Sequence, residues 1–136
     1  NNLALKSIAK NYFENKCQII SCKTEHKCVV ESCHELEKEG FEVTYLDVDE
    51  EGLIKIDELE NILKKEKSLV SIMMANNETG VIQDVKKIGE LCKKYNSIFH
   101  SDVAQSIGTQ KIDVCVLSIR QALQGSRGII PPNAAT

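Results

Sequence analysis

The strongest constraint on the fold is a regular alternation of short apolar runs with longer segments whose apolar residues recur every three or four positions. The short runs predict buried strands at 18–22, 41–48, 68–74, 97–99 and 114–119. The longer segments predict helices at 3–14 and 26–38, from Asp57 onward, and through 84–95. Strands and helices that alternate in this way favour an α/β fold, in which a mostly parallel sheet is flanked by helices.

Residues at the helix ends support these assignments. Gly40 lies where a left-handed residue would end the second helix. Asp57 can cap the third helix while Glu60 reaches back to it, and Asp84 can cap the fourth. From about residue 120 the alternation stops, so we expect residues 120–136 to form a divergent, unstructured tail after a partial domain at 1–119.

Charge and cysteine content narrow the classes of function. The 136 residues carry 17 Lys plus Arg and 20 Asp plus Glu, a net charge of −3, which disfavours a nucleic-acid or anionic-membrane partner. No apolar run is long enough for a membrane span. The six cysteines lack paired Cys-x2-Cys spacing, so we expect reduced thiols and no metal site.

Three polar clusters follow predicted strands. They lie at residues 24–27, at 76–80, and at 100–102 with Gln105. Parallel strands end at one edge of a sheet, and ligands bind in the crevice beyond that edge. Each cluster also has a structural explanation, because Asn77 and Gly80 suit a turn and His100 could be a satisfied core histidine. The pattern alone predicts a ligand-binding α/β domain.

Four segments of the sequence resemble the cysteine desulfurases, and within them the housekeeping type that serves iron–sulfur assembly in bacteria and mitochondria. The likeness runs from about residue 1 to residue 119 and covers the central part of the large domain of a fold-type I pyridoxal-phosphate enzyme. The segments are Thr24-Glu25-His26-Lys27-Cys28-Val29, Gly40-Phe41-Glu42-Val43-Thr44-Tyr45-Leu46, Asn76-Asn77-Glu78-Thr79-Gly80-Val81-Ile82-Gln83-Asp84 and His100-Ser101-Asp102-Val103-Ala104-Gln105-Ser106-Ile107-Gly108.

This resemblance implies a cofactor, pyridoxal 5'-phosphate, and roles for four residues. His26 matches the histidine that stacks on the cofactor ring and assists proton transfer. Asp102 matches the aspartate that faces the ring nitrogen and keeps it protonated. Asn77 and Gln105 match residues that hydrogen-bond near the phenolic oxygen.

The chain departs from the family where the Schiff-base lysine is expected. The family has Ser-Gly-His-Lys shortly after the strand that matches 116–119, whereas residues 120–124 read Arg-Gln-Ala-Leu-Gln and no lysine follows Lys111. We expect the phosphate-binding Ala-Thr segment to precede Asn1 and the persulfide-forming cysteine to follow Thr136. A local frame error or aberrant splice across 120–124, or a degenerate gene copy, would each explain the departure. The chain alone is therefore expected to be inactive.

The resemblance also implies a reaction, partners and a location. The parent enzyme would take sulfur from L-cysteine, leave alanine and an enzyme persulfide, and pass the sulfur to an iron–sulfur scaffold protein as a homodimer. A related selenocysteine lyase and a non-catalytic remnant that binds a partner remain alternatives. The bacterial cytoplasm and a mitochondrion or related organelle both fit.

Overall fold

A computed structural model gives the fold of residues 2–12 and 18–102. Within these ranges four helices and four strands alternate along the chain. The helices are α1 (Asn2–Tyr12), α2 (Lys27–Lys38), α3 (Ile56–Leu63) and α4 (Val85–Lys94). The strands are β1 (Gln18–Cys22), β2 (Glu42–Leu46), β3 (Ser68–Ser71) and β4 (Ile98–His100). The predicted α/β class is confirmed.

All pairs in the described sheet are parallel, in the order β2-β1-β3-β4. The chain steps from β1 to β2 on one side and then crosses back to β3 on the other. The connections therefore leave β1 and β3 in opposite directions, and a crevice opens at the carboxyl ends of these two strands.

Each face of the sheet is covered by a separate apolar cluster. Ile20, Val70 and Phe99 pack with α3 and α4 on one face. Ile19 and Leu69 pack with α1 and α2 on the other. Successive strand residues point to opposite faces, so an uninterrupted apolar run supplies both clusters, as the sequence pattern predicts.

Two of the three predictions for helix ends are confirmed. Gly40 follows α2 with a φ of +98°, a conformation that costs glycine little. The Asp84 side chain accepts a hydrogen bond from the Lys87 amide at 3.0 Å and caps α4.

The predicted capping box of the third helix is wrong. Lys55 occupies the cap position without a side-chain hydrogen bond, and α3 begins at Ile56. Asp57 therefore lies within the first turn, where its charge suits the helix dipole. The carboxylate of Glu60 turns to α4 instead, and accepts hydrogen bonds from Lys94 Nζ at 3.0 Å and Tyr95 OH at 2.7 Å.

Pairing between β3 and β4 continues past the strand ends. The Ile72 amide donates to the His100 carbonyl at 3.1 Å, and the Met74 amide donates to the Asp102 carbonyl at 3.1 Å. Residues 72–74, predicted as strand, are thus extended and bound at this edge. The predicted strand 114–119, the tail 120–136 and Gln105 lie outside the described residues. None of the described helices is long and apolar enough to cross a membrane.

Candidate functional site

The carboxyl ends of β1, β3 and β4 bring together residues from all three polar clusters that the sequence analysis singled out. Residues 23–26 leave β1, residues 72–77 leave β3, and residues 101–102 leave β4. The sheet order places β3 between β1 and β4, so the three exits are neighbours. This edge includes the crevice between β1 and β3, the position at which open parallel sheets bind ligands.

Glu25 ties two of these exits together from a buried position. Its side chain is 9% exposed. One carboxylate oxygen accepts a hydrogen bond from the Met73 amide, and the other accepts from the His26 amide at 3.2 Å. Burial raises the pKa of Glu25 to about 7, and the charge of Asp102 adds to the rise while the two amides oppose it. Glu25 and Asp102 are therefore close enough to interact electrostatically.

His26 stands at the head of α2 with an exposed ring. It is the cap residue of the helix, and its Nδ1 accepts a hydrogen bond from the Cys28 amide at 3.3 Å. The same nitrogen lies 3.0 Å from Cys28 Sγ. These contacts orient the imidazole from one side and leave its surface accessible to a ligand.

The turn predicted at Asn77 and Gly80 follows β3, and the side chain of Asn76 anchors it. The Asn76 amide group donates to the Thr24 carbonyl at 2.8 Å and so joins the β1 and β3 exits. Its oxygen accepts from the amides of Glu78 at 2.9 Å and Thr79 at 2.8 Å. Asn77 is exposed beside this anchor. The structure thus fixes the backbone that carries Asn77.

His100 and Asp102 take different places although they are two residues apart. His100 is 3% exposed, and its Nδ1 lies 2.9 Å from Ser71 Oγ inside the sheet. Burial lowers the pKa of His100 to about 4, so the imidazole is neutral at physiological pH. Asp102 is partly exposed at the edge. His100 is the satisfied core histidine that the sequence left open, whereas Asp102 lies at the carboxyl end of β4.

Comparisons with known proteins decide the family. Residues 1–127 match the family described as aminotransferase class-V. The chain belongs to the class-V aminotransferase family. Cysteine desulfurase IscS from Histophilus somni is 44% identical over 131 residues, which are 96% of this chain and 32% of that protein. The mitochondrial cysteine desulfurase of Eremothecium gossypii is 48% identical over 119 residues, 88% of this chain and 24% of that protein.

Solved structures agree with this class-V membership. A structure named "SspA in complex with cysteine" is similar with a TM-score of 0.78 and 38% identity, over 85% of this chain and 33% of that one. A NifS-like protein is similar with a TM-score of 0.69 and 41% identity, over 74% of this chain and 28% of that one. The chain spans about a third or less of the length of these relatives.

The β1–β3–β4 edge contains two residues to which the sequence analysis gave no role, Glu25 and Asn76. Both make hydrogen bonds between the β1 and β3 exits, and no local pattern reveals a contact between segments so far apart. The available sequence signal for Glu25 was its position as an ionisable residue shortly after a buried strand, at the edge where ligands are expected.

A further cleft of about 720 Å³ lies beside α3 and the start of α4. Its lining mixes carboxylates such as Asp49 and Glu58 with lysines such as Lys65 and Lys87. None of the residues predicted from the class-V likeness lines it. Among the described residues no group of three or more His, Cys, Asp or Glu side chains could hold a metal ion.

Proposed function

We propose that the chain is the central part of the large domain of a pyridoxal-phosphate-dependent cysteine desulfurase of the housekeeping type. The observation that carries the proposal is the meeting of an exposed histidine, an anchored Asn turn and a carboxylate at the β1–β3–β4 edge. Family membership and the two desulfurase relatives described above support it.

The donor set at this edge fits the proposed cofactor. A pyridine ring needs a flat partner for its face, a carboxylate for its nitrogen and a neutral polar group for its phenolic oxygen. His26, Asp102 and Asn77 are residues of these three types on neighbouring strand exits. The buried Glu25 beside Asp102 adds acidic character, which suits a protonated ring nitrogen.

Each side chain has a separate task in this proposal. The imidazole of His26 would cover one face of the ring and could hold a proton beside the substrate. Asp102 would accept a hydrogen bond from the ring nitrogen, and its charge would keep that nitrogen protonated. Asn77 would contribute a neutral polar group near the phenolic oxygen, and the resemblance gives Gln105, which lies outside the described residues, the same task. When bound, pyridoxal phosphate supplies the electron sink for breaking bonds in the amino-acid substrate.

The proposed reaction of the parent enzyme balances without an added oxidant. L-Cysteine and an enzyme thiol give alanine and an enzyme persulfide, so that the sulfur moves from carbon to the thiol. The acceptor would be an iron–sulfur scaffold protein, and the parent would be a homodimer. Curated relatives include bacterial and mitochondrial desulfurases, and we propose the bacterial cytoplasm or a mitochondrion as the location of this protein.

A selenocysteine lyase would use the same cofactor residues.

The sequence at 120–124 lacks the lysine that catalysis requires, whereas the residues proposed to bind the ring lie elsewhere in the chain. This segment reads Arg-Gln-Ala-Leu-Gln where the family has its cofactor-anchoring lysine. We propose that the chain alone retains the residues that orient the ring and cannot anchor it covalently. A non-catalytic remnant is the second candidate, and the missing lysine is the observation that favours it.

Borohydride reduction in the presence of pyridoxal 5'-phosphate tests this separation. The expected result is scattered, substoichiometric labelling of surface lysines, because no lysine occupies the anchoring segment. Peptide mass spectrometry gives the position and stoichiometry of each adduct, and pyridoxamine 5'-phosphate, which has no aldehyde, is the control. Stoichiometric labelling of a single lysine would show that the chain has an anchor after all.

A further inference from the structure

The class-V likeness assigns no role to Glu25, although its side chain bonds to the exit of a neighbouring strand. Its carboxylate accepts from the Met73 amide on one side and from the His26 amide on the other. These two partners belong to different segments, the β3 exit and the head of α2.

A buried glutamate is electrostatically costly when its hydrogen-bond partners, as for Glu25 among the described residues, are two backbone amides. Burial penalises the ionised form, and two backbone N–H donors offset only part of the cost. A glutamine or a serine could satisfy one amide without this cost. We infer that a negative charge at this position has a use, and Asp102 is a described acid whose charge acts on Glu25.

We propose that Glu25 is a positioning residue, which fixes the backbone of His26 against the β3 exit and strengthens the negative field of Asp102 at the ring nitrogen. This inference rests on the proposed function and deepens it. The two hydrogen bonds set the place of the ring-stacking histidine. The carboxylate charge, added to that of Asp102, favours a ligand with a protonated ring nitrogen over a neutral ring.

The titratable groups around Glu25 define the pH range of the effect. Asp102 faces it from the β4 exit, and Cys33 interacts with it from α2. Burial raises the pKa of Cys33 to about 11, so this thiol stays neutral at the pH values used below. His26 is adjacent in sequence and is present in every variant compared, so a difference between variants reports on Glu25.

Two probes distinguish an effect of the Glu25 charge from a purely structural role of its side chain. The first is pyridoxamine 5'-phosphate, and the second is its carbocyclic analogue, in which C–H replaces the ring nitrogen. The ratio of their dissociation constants measures how strongly the site favours the ring nitrogen. Both are titrated by NMR into the 136-residue chain, into Glu25→Gln, and into the control Glu78→Gln, which removes an exposed carboxylate from the same edge.

The expected result at pH 8 is a preference for the nitrogen-containing probe that falls about three- to tenfold in Glu25→Gln and stays unchanged in Glu78→Gln. At pH 5.5, where Glu25 in the wild type is largely protonated, the wild type and Glu25→Gln should show the same preference for the nitrogen-containing probe. A purely structural role would weaken both probes equally at both pH values.

Failure of the two proposals gives different results. If both probes bind the wild type and Glu25→Gln keeps the full preference at pH 8, the role of Glu25 is overturned and the ring site stands. If neither probe binds the wild type, the ring site is overturned, and the role of Glu25 falls with it.

Discussion

A chimera in which residues 1–119 replace the matching segment of the Histophilus somni IscS is expected to form alanine from L-cysteine. A second chimera that carries residues 1–127 is expected to be slower by about three orders of magnitude or more, because it exchanges the host's anchoring lysine for the sequence at 120–124. The chain is 44% identical to the host over 131 residues, so the shared core should be preserved in both chimeras. Alanine formation by coupled assay gives the rates.

The two chimeras control for each other, because they differ only at residues 120–127. A third, in which Ser-Gly-His-Lys is restored within the longer insert, should recover most of the lost rate. If the first chimera folds and is inactive, the cofactor-orienting residues assigned to 1–119 are wrong. If the second is as active as the first, another lysine serves as the anchor.

The second large effect concerns the free energy of unfolding, to which Glu25 and His100 make contributions with opposite pH dependences. In the wild type these contributions offset each other. Burial raises the pKa of Glu25 from 4.5 to about 7, so between these values the native state keeps a proton that the unfolded chain loses. The Glu25 contribution to the free energy of unfolding therefore falls as pH rises from 4.5 to 7.

His100 has the opposite effect over nearly the same range. Burial lowers its pKa from 6.5 to about 4, so between these values the unfolded chain binds a proton that the native state does not. The His100 contribution to the free energy of unfolding therefore rises with pH from 4 to 6.5. Each contribution is on the order of 3 kcal/mol, so the two largely cancel in the wild type.

Single substitutions should reveal each slope. In Glu25→Gln the free energy of unfolding should rise more steeply with pH than in the wild type, and in His100→Asn it should fall. Asparagine keeps a polar partner for Ser71, so the loss of the proton site is separated from the loss of the hydrogen bond. Urea unfolding from pH 4.5 to pH 8 measures both slopes. Parallel curves for all three proteins would contradict the burial of these two groups.

The elements of the fold that the sequence predicts well are those set by local pattern. Strand β1 matches its prediction at both ends, because an apolar run between polar residues defines it. The cap of α3 is Lys55, two residues before the predicted Asp57, so the predicted capping box was wrong. Both Lys55 and Asp57 can stand near a helix start, and packing of Ile56 and Leu59 in the core selects the first turn.

In the candidate site too, some features follow from the local sequence and others only from the folded structure. The placement of His26 and Asp102 at strand exits follows from the position of each strand in the sequence. The hydrogen bond from the Met73 amide to Glu25 joins residues 48 positions apart, so only the folded sheet shows it. Asn76 and Asn77 are identical in type and adjacent, and only the geometry of the turn decides which one bonds to the Thr24 carbonyl.

The most direct test of the ring site is an amide-resolved NMR titration of the 136-residue chain with pyridoxamine 5'-phosphate. We expect saturable shifts that are largest at the amides of Glu25, His26, Asn77 and Asp102. Residues of the cleft beside α3, such as Lys55 and Asn61, serve as the internal comparison and should stay unshifted. Shifts centred on that cleft, or no saturable shift at any amide, would contradict a ring-binding site at the β1–β3–β4 edge.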